Sequence, residues 1–199
     1  MTSATSYPAG HGSELMLWIA SVIHSHGIAV LNIGSGDCSV PGCACSAAPV
    51  PWSYSIGFHE RAHPEVVVFG CEPDRAVTML NWVRRRELTE RPVSDGAIIL
   101  LDGNWVRFDR LPADWITGRD DPMGTWFAHY GVGVDHVEPP SVMQLVWADE
   151  AGRFPDEDGC DPDVVAAQPV GATLLGDWAH SAIAPRSRRT RRSHRRRPG

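Results

Sequence analysis

His63-Pro64-Glu65 sets an imidazole and a carboxyl on either side of a proline. An imidazole titrates near neutral pH and a carboxyl can be tuned toward it, so the two can exchange a proton as general acid and base. Proline fixes the backbone that enters the following segment, and strand alternation then puts Glu65 and Val67 on one side. His63 and Glu65 are the candidate catalytic pair. The competing reading is structural: His63 caps a turn, and Glu65 pairs with an arginine such as Arg153.

Gln144, Asp149 and Arg153 form a second cluster. Gln144 lies among apolar neighbours and, if buried, must be hydrogen-bonded. Arg153 has the planar fork that clamps a carboxylate or phosphate. With Tyr54, these residues are the candidate ligand-binding set for a small molecule. The alternative is a local network in which Asp149 turns the chain and Arg153 neutralises a carboxylate.

Cys38, Cys43 and Cys45, with His59 downstream, raise the question of zinc. Structural zinc takes four thiolate or imidazole ligands, ordinarily with two to four residues between paired cysteines. The Cys43-x-Cys45 spacing is tighter than that, so no metal is favoured and these read as free loop thiols. Of the tryptophans, Trp18, Trp82 and Trp105 suit core or edge positions, while Trp126 and Trp147 could line a cavity.

The C-terminal run is the strongest electrostatic signal. All 18 basic residues are arginine, and eight lie in the last 14 positions, among them Arg188, Arg189, Arg191, Arg192, Arg195, Arg196 and Arg197. The remaining ten face 24 acids, so the body sits near −14 although the whole chain is −6. An acidic body does not attract nucleic acid by its own field. The tail can bind a polyanion by counterion release, without sequence specificity, or fold back on the acidic body.

These residues need elements to position them. With 43% hydrophobic and 21% charged residues, the chain has an ordinary globular composition. No stretch reaches the roughly 18 apolar residues of a membrane span. Leu15 to Ile23 has no positive charge before it, the first arginine being Arg61, so it does not read as a secretory signal. A cytoplasmic protein with reduced cysteines is expected; the odd count of five also argues against a complete disulfide framework.

Periodicity predicts a helix, N-capped by Ser13, that buries the face formed by Leu15, Trp18, Ile19, Val22, Ile23 and His26 and is stopped by Gly27. Strands follow at Ile28 to Ile33 and Trp52 to Phe58. Glu65 to Phe69, a β-branched run, reads as a central strand covered on both faces. Pro73 opens a second helix with Arg84, Arg85 and Arg86 in its last turn, where cations suit the helix dipole. Ala97 to Leu101 and Trp105 to Leu111 flank the Asp102-Gly103 turn of a hairpin. Asp121-Pro122 opens a short helix through Tyr130, and Val142 to Trp147 is the last strand. Short links between strands favour an α+β fold: an antiparallel or mixed sheet with helices packed mainly on one face. The expected organisation is a flexible arm over 1–12, one domain over 13–156, an irregular extension over 157–184 and a disordered Arg-rich tail over 185–199. Dinucleotide, P-loop, serine-hydrolase and zinc-protease motifs find no match.

Two segments carry a family resemblance. Tyr54-Ser55-Ile56-Gly57-Phe58 followed by His63-Pro64-Glu65-Val66-Val67-Val68-Phe69-Gly70, together with Gln144-Leu145-Val146-Trp147 and Asp149, Gly152, Arg153, Phe154 and Pro155, resemble the bacterial domain of unknown function 4262. His26-Gly27 and Leu80-Asn81 also fit, and the resemblance spans Leu15 to Pro155. Ala148 and Asp156 depart from the family pattern, the Gly34 to Pro51 loop is longer than usual, and the Arg-rich tail is not a family feature. The resemblance implies a shared fold and transfers no activity or catalytic residue. A strand like Trp52 to Phe58 followed by Pro64 to Gly70 also occurs in flavin-binding split barrels. No phosphate-binding residues accompany it here, so FMN is not expected. The leading expectation is a small-molecule-binding or enzyme-like pocket built from His63, Glu65, Gln144 and Arg153. The alternatives are polyanion binding through the tail and an interaction module without a pocket.

Overall fold

The computed structural model describes residues 12–34, 50–87, 93–117, 122–131 and 139–171. The first helix, α1 (Gly12–His26), buries Ile19 and Ile23, leaves His26 exposed in its final turn against expectation, and is closed where the Gly27 amide donates to the Ile23 carbonyl at 2.7 Å. Gly27 has φ +86°, the left-handed turn that a glycine accepts at a helix end. The chain then enters β1 (Ala29–Ile33), which pairs antiparallel with β2 (Trp52–Ile56), and β2 pairs antiparallel with β3 (Glu65–Phe69). Strand β2 ends two residues sooner than its alternation predicts. Gly57, at φ +126°, breaks the ladder and leads into a 3-10 turn, His59–Arg61.

After β3 the chain crosses through α2 (Pro73–Glu87) to the hairpin β4 (Ala97–Leu101) and β5 (Asn104–Arg110). Asp102 and Gly103 both have positive φ, 48° and 82°, as the predicted two-residue hairpin turn requires. Two short helices, α3 (Ala113–Ile116) and α4 (Gly124–His129), precede β6 (Val142–Trp147), and α5 (Pro162–Ala167) follows it. The helix expected from Asp121 is α4; Asp121 itself lies outside the described residues. The strand order is β1-β2-β3-β6-β5-β4. Only β3 and β6 run parallel, with Glu65 beside Val142 and Val67 beside Gln144. The sheet is therefore mixed, and the two stretches that carry the family resemblance are adjacent strands at its centre.

Alternation divides the core. Val66 and Val68 of β3 pack with Ala76, Met79, Leu80 and Val83 of α2. Val67 and Phe69 pack on the opposite face with Ile19 and Ile23 of α1, Trp115 of α3 and Trp126 of α4. Three helices thus share one face, and among the described helices α2 covers the other. Beyond them, on the three-helix face, Val146, Ala148, Phe154 and Val170 form a smaller cluster. Residues 157–171, irregular by sequence, return to the sheet. The Gln168 side-chain amide accepts from the Trp147 N–H at 2.9 Å and donates to the Trp147 carbonyl at 2.8 Å, as a neighbouring strand would. Among the described residues, no helix is long and apolar enough to cross a membrane.

Candidate functional site

Glu65 opens β3 on the same face as Val67 and Phe69 and is fully buried. Its carboxyl accepts four hydrogen bonds. The Ser55 hydroxyl donates to Oε2 at 2.6 Å. The Gly57 amide, the His59 amide and the Trp126 indole donate to Oε1 at 3.0, 3.1 and 3.2 Å. Ser55 in turn accepts from the Val66 amide at 2.9 Å, so its hydroxyl stands where a ladder bond would otherwise form. None of these donors is charged. Arg153, the arginine expected to pair with Glu65, is held by Asp149 instead. Burial lifts the Glu65 pKa above the ordinary carboxylate range, against the opposing pull first of Ser55 and then of His59, Gly57 and Trp126.

Aromatic rings close over this carboxyl. The His59 ring stands edge-on to Trp126 at 5.1 Å and to Tyr130 at 5.5 Å, and Trp126 and Tyr130 are 4.7 Å apart. The Tyr130 hydroxyl donates to Glu60 at 3.4 Å. Burial, then the neighbouring charges of Glu65 and Glu60, push the Tyr130 pKa upward. His63 follows Ala62, which takes a left-handed conformation at φ 57°, and the His63 amide closes the turn on the Phe58 carbonyl at 3.2 Å. The backbone of His63 therefore shapes the turn, while His59 meets the carboxyl through its amide.

A concavity adjoins the 59–61 turn that carries the His59 amide. A hollow of about 220 Å³ is lined by Ala20, Ile23 and His24 of α1, by Gly27, by Glu60 and Arg61 of the 3-10 turn, and by His129 beyond Trp126 on α4. The Arg61 guanidinium lies so close to Gly27 that a Cβ there would meet it at 2.9 Å. Sequence reasoning missed the hollow. Its signals were faint: a histidine in the last turn of α1, and a Glu-Arg pair in a turn.

The second predicted cluster stands elsewhere. Glu65 is beside Val142 at the start of β6, whereas Asp149 and Arg153 follow its end. Asp149 accepts from the amides of Ala151, Arg153 and Asp161 at 2.9, 2.9 and 3.1 Å, and pairs with Arg153 Nε at 3.1 Å. The Arg153 amide first, then the Asp161 amide and the Arg153 guanidinium, hold its pKa below the ordinary value. Gln144 is buried and donates to the Pro169 carbonyl at 2.9 Å. Tyr54 is buried in the core, stacked on Trp52 with ring centroids 5.2 Å apart. The one shared pocket expected for His63, Glu65, Gln144 and Arg153 therefore does not assemble. The parallel pairing joins their strands and sets Gln144 beside Val67, but Arg153 lies past the far end of β6 from Glu65.

Of the tryptophans expected near a cavity, Trp126 covers Glu65. Trp147 is half-buried, donates to the Phe69 carbonyl at 3.1 Å and carries the Arg75 guanidinium over its ring. Cys38, Cys43, Cys45 and the Arg188 to Arg197 run lie outside the described residues. Among the described residues no three His, Cys, Asp or Glu side chains are placed to hold a metal.

A mixed six-stranded sheet packed with helices makes this an α+β domain, and a buried carboxyl accepting from uncharged donors stands at the start of its central strand. The chain belongs to the family described as domain of unknown function DUF4262, whose model matches residues 22–161. No curated protein and no solved structure matches it.

Proposed function

We propose that this chain is a small-molecule-binding domain whose ligand seats an anionic group in the hollow between α1, the 59–61 turn and α4. The observation that carries the reading is the convergence of His24, Glu60, Arg61 and His129, from three separate elements, on one concavity. Arg61 offers the bidentate fork that suits a carboxylate or phosphate. The imidazoles of His24 and His129 add hydrogen-bonding groups, and Glu60 sets an acidic wall that orients the ligand. At about 220 Å³ the hollow is smaller than the roughly 300–1,000 Å³ of drug-sized sites, which suits a compact metabolite. Glu65 acts from beneath as a positioning residue. It ties the turn, through the Gly57 and His59 amides, to α4, through Trp126. A chemical step at Glu65 would need the turn to open, because the side chain is fully enclosed.

Titration of the full chain with inorganic phosphate and with succinate at constant ionic strength, followed by amide chemical shifts, tests this. Saturable shifts centred on residues 20–27, 59–61 and 129 are expected, and Arg61→Ala should weaken them at least tenfold without changing the melting temperature. Equal binding by Arg61→Ala sinks the reading.

A second reading rests on the eight arginines of the last 14 residues: polyanion binding, nonspecific and steeply salt-dependent, by the tail alone.

A further inference from the structure

On the sheet face that carries α1, α3 and α4, cover proceeds strand by strand. Helical side chains from α1, α3 and α4 lie over β2 and β3. The returning segment then takes over: Pro169 meets Gln144 and Val170 packs on Val146 of β6. Phe154 and Asp156 hold Arg107 of β5, with the guanidinium 4.8 Å over the Phe154 ring and 3.0 Å from Asp156. Among the described residues, β4 stays bare on this face. Ile98 and Leu100 of β4 are each 53% exposed, and Trp105 of β5 is 48% exposed. They form one surface, since Leu100 is registered with Trp105, Ile98 with Arg107, and Arg107 with Val146. The other face of β4 is different: Ile99 and Leu101 join the α2 core. β4 is an edge strand and carries no charge within Ala97–Leu101, so it lacks the usual protection of an exposed edge.

We propose that residues 172–184 of this same chain cover the Ile98-Leu100-Trp105 surface. The segment begins where the described residues stop, at Gly171, one residue beyond Val170. Strands lie about 4.8 Å apart, so β4 is about 10 Å from β6. Leu174 is four residues past Val170, a reach of about 13 Å at about 3.3 Å per residue. The composition of the segment suits an apolar cover. Leu174, Leu175, Trp178 and Ile183 are apolar, and a single charge, Asp177, interrupts them. The C-terminal segment thereby completes the cover that Phe154 and Val170 begin.

Limited chymotrypsin digestion of the full chain, read by mass spectrometry, tests this alongside light scattering. The expected result is a monomer resistant to cutting at Leu174, Leu175 and Trp178, with Leu100→Asp raising the cutting rate at least tenfold while the circular dichroism melt is retained. If Leu100→Asp does not fold, the segment variant Leu174→Asp/Trp178→Asp replaces it, and hydrogen exchange over residues 97–105 should then speed up at least tenfold. Unchanged cutting or exchange overturns the proposal. So does a dimer that either variant dissociates, which would make a second copy the occupant.

Discussion

Glu65 is the residue on which the candidate site turns, because three segments direct backbone or indole donors at it. Removing the carboxyl leaves donors buried without acceptors, at about 1–3 kcal/mol each. Glu65→Ala is therefore expected to cost at least about 3 kcal/mol. Glu65→Gln keeps an acceptor oxygen for Gly57, His59 and Trp126 and should cost about 1–2 kcal/mol. Urea titration of both variants measures this; an alanine variant as stable as the glutamine one would contradict the keystone role. The charge has a pH signature of its own. Because the folded pKa is raised above the unfolded value of 4.5, the folded state holds the proton more tightly. Its contribution to stability is full below about pH 4.5 and is lost as pH rises through the folded pKa. Asp149 works in the opposite sense, its folded pKa being lowered from 3.8, so its contribution is lost as pH falls. Glu65→Gln should flatten the decline of stability above pH 4.5, and Asp149→Asn should flatten the acid limb instead. Identical pH profiles for the parent and both variants would refute these assignments. Burial pushes the Cys71 thiol up to about 11, which leaves it protonated and unreactive toward iodoacetamide at neutral pH.

Among the elements, the join between the returning C-terminal segment and the sheet is the most exacting. Gly70 has φ +65°, and a Cβ there would collide with the Ala167 backbone. A collision with backbone cannot be relieved by a rotamer change, and the left-handed φ adds strain of about 1 kcal/mol. Gly70→Ala is thus expected to cost about 2–3 kcal/mol, within the range of overpacked sites, and to speed hydrogen exchange in α5 before the central strands are affected. Gln168→Ala removes both bonds to Trp147 and should cost about 1–3 kcal/mol. If exchange in residues 157–171 is unaltered in both variants, the segment is held by something else. Short elements are also the hardest to anticipate. α3 and α5 span four and six residues, too few for a hydrophobic period to declare itself. The fifteen-residue α1 and α2 carry clear helical periods, and the apolar runs of β3 and β6 are bounded by turn residues, so all four are legible to within a residue.

Across the whole molecule, charge separates the two proposed activities. A body near −14 and a tail of eight arginines make any polyanion binding a property of the tail. If six phosphates are neutralised, raising salt from about 50 to about 200 mM should weaken duplex binding roughly a thousandfold. Fluorescence anisotropy on the full chain and on a chain ending at Pro185 checks this. Binding retained by the shortened chain would overturn the tail reading, and loss of phosphate binding to the hollow in the same shortened chain would couple the two ends unexpectedly.

The amino-acid sequence alone determined the strands, the two long helices, the hairpin turn at Asp102-Gly103 and the family, because each is written in local periodicity, turn chemistry or a contiguous motif. It also singled out Glu65. Tertiary structure decided what Glu65 touches. Its donors come from Ser55, Gly57, His59 and Trp126, up to 61 residues away, and no spacing rule relates an indole on one helix to a carboxyl on a strand. The parallel register of β3 against β6 likewise put Glu65 and Arg153 at opposite ends of neighbouring strands. A one-dimensional pattern specifies which face a side chain takes, while the position along a neighbouring strand is set only when the strands pair.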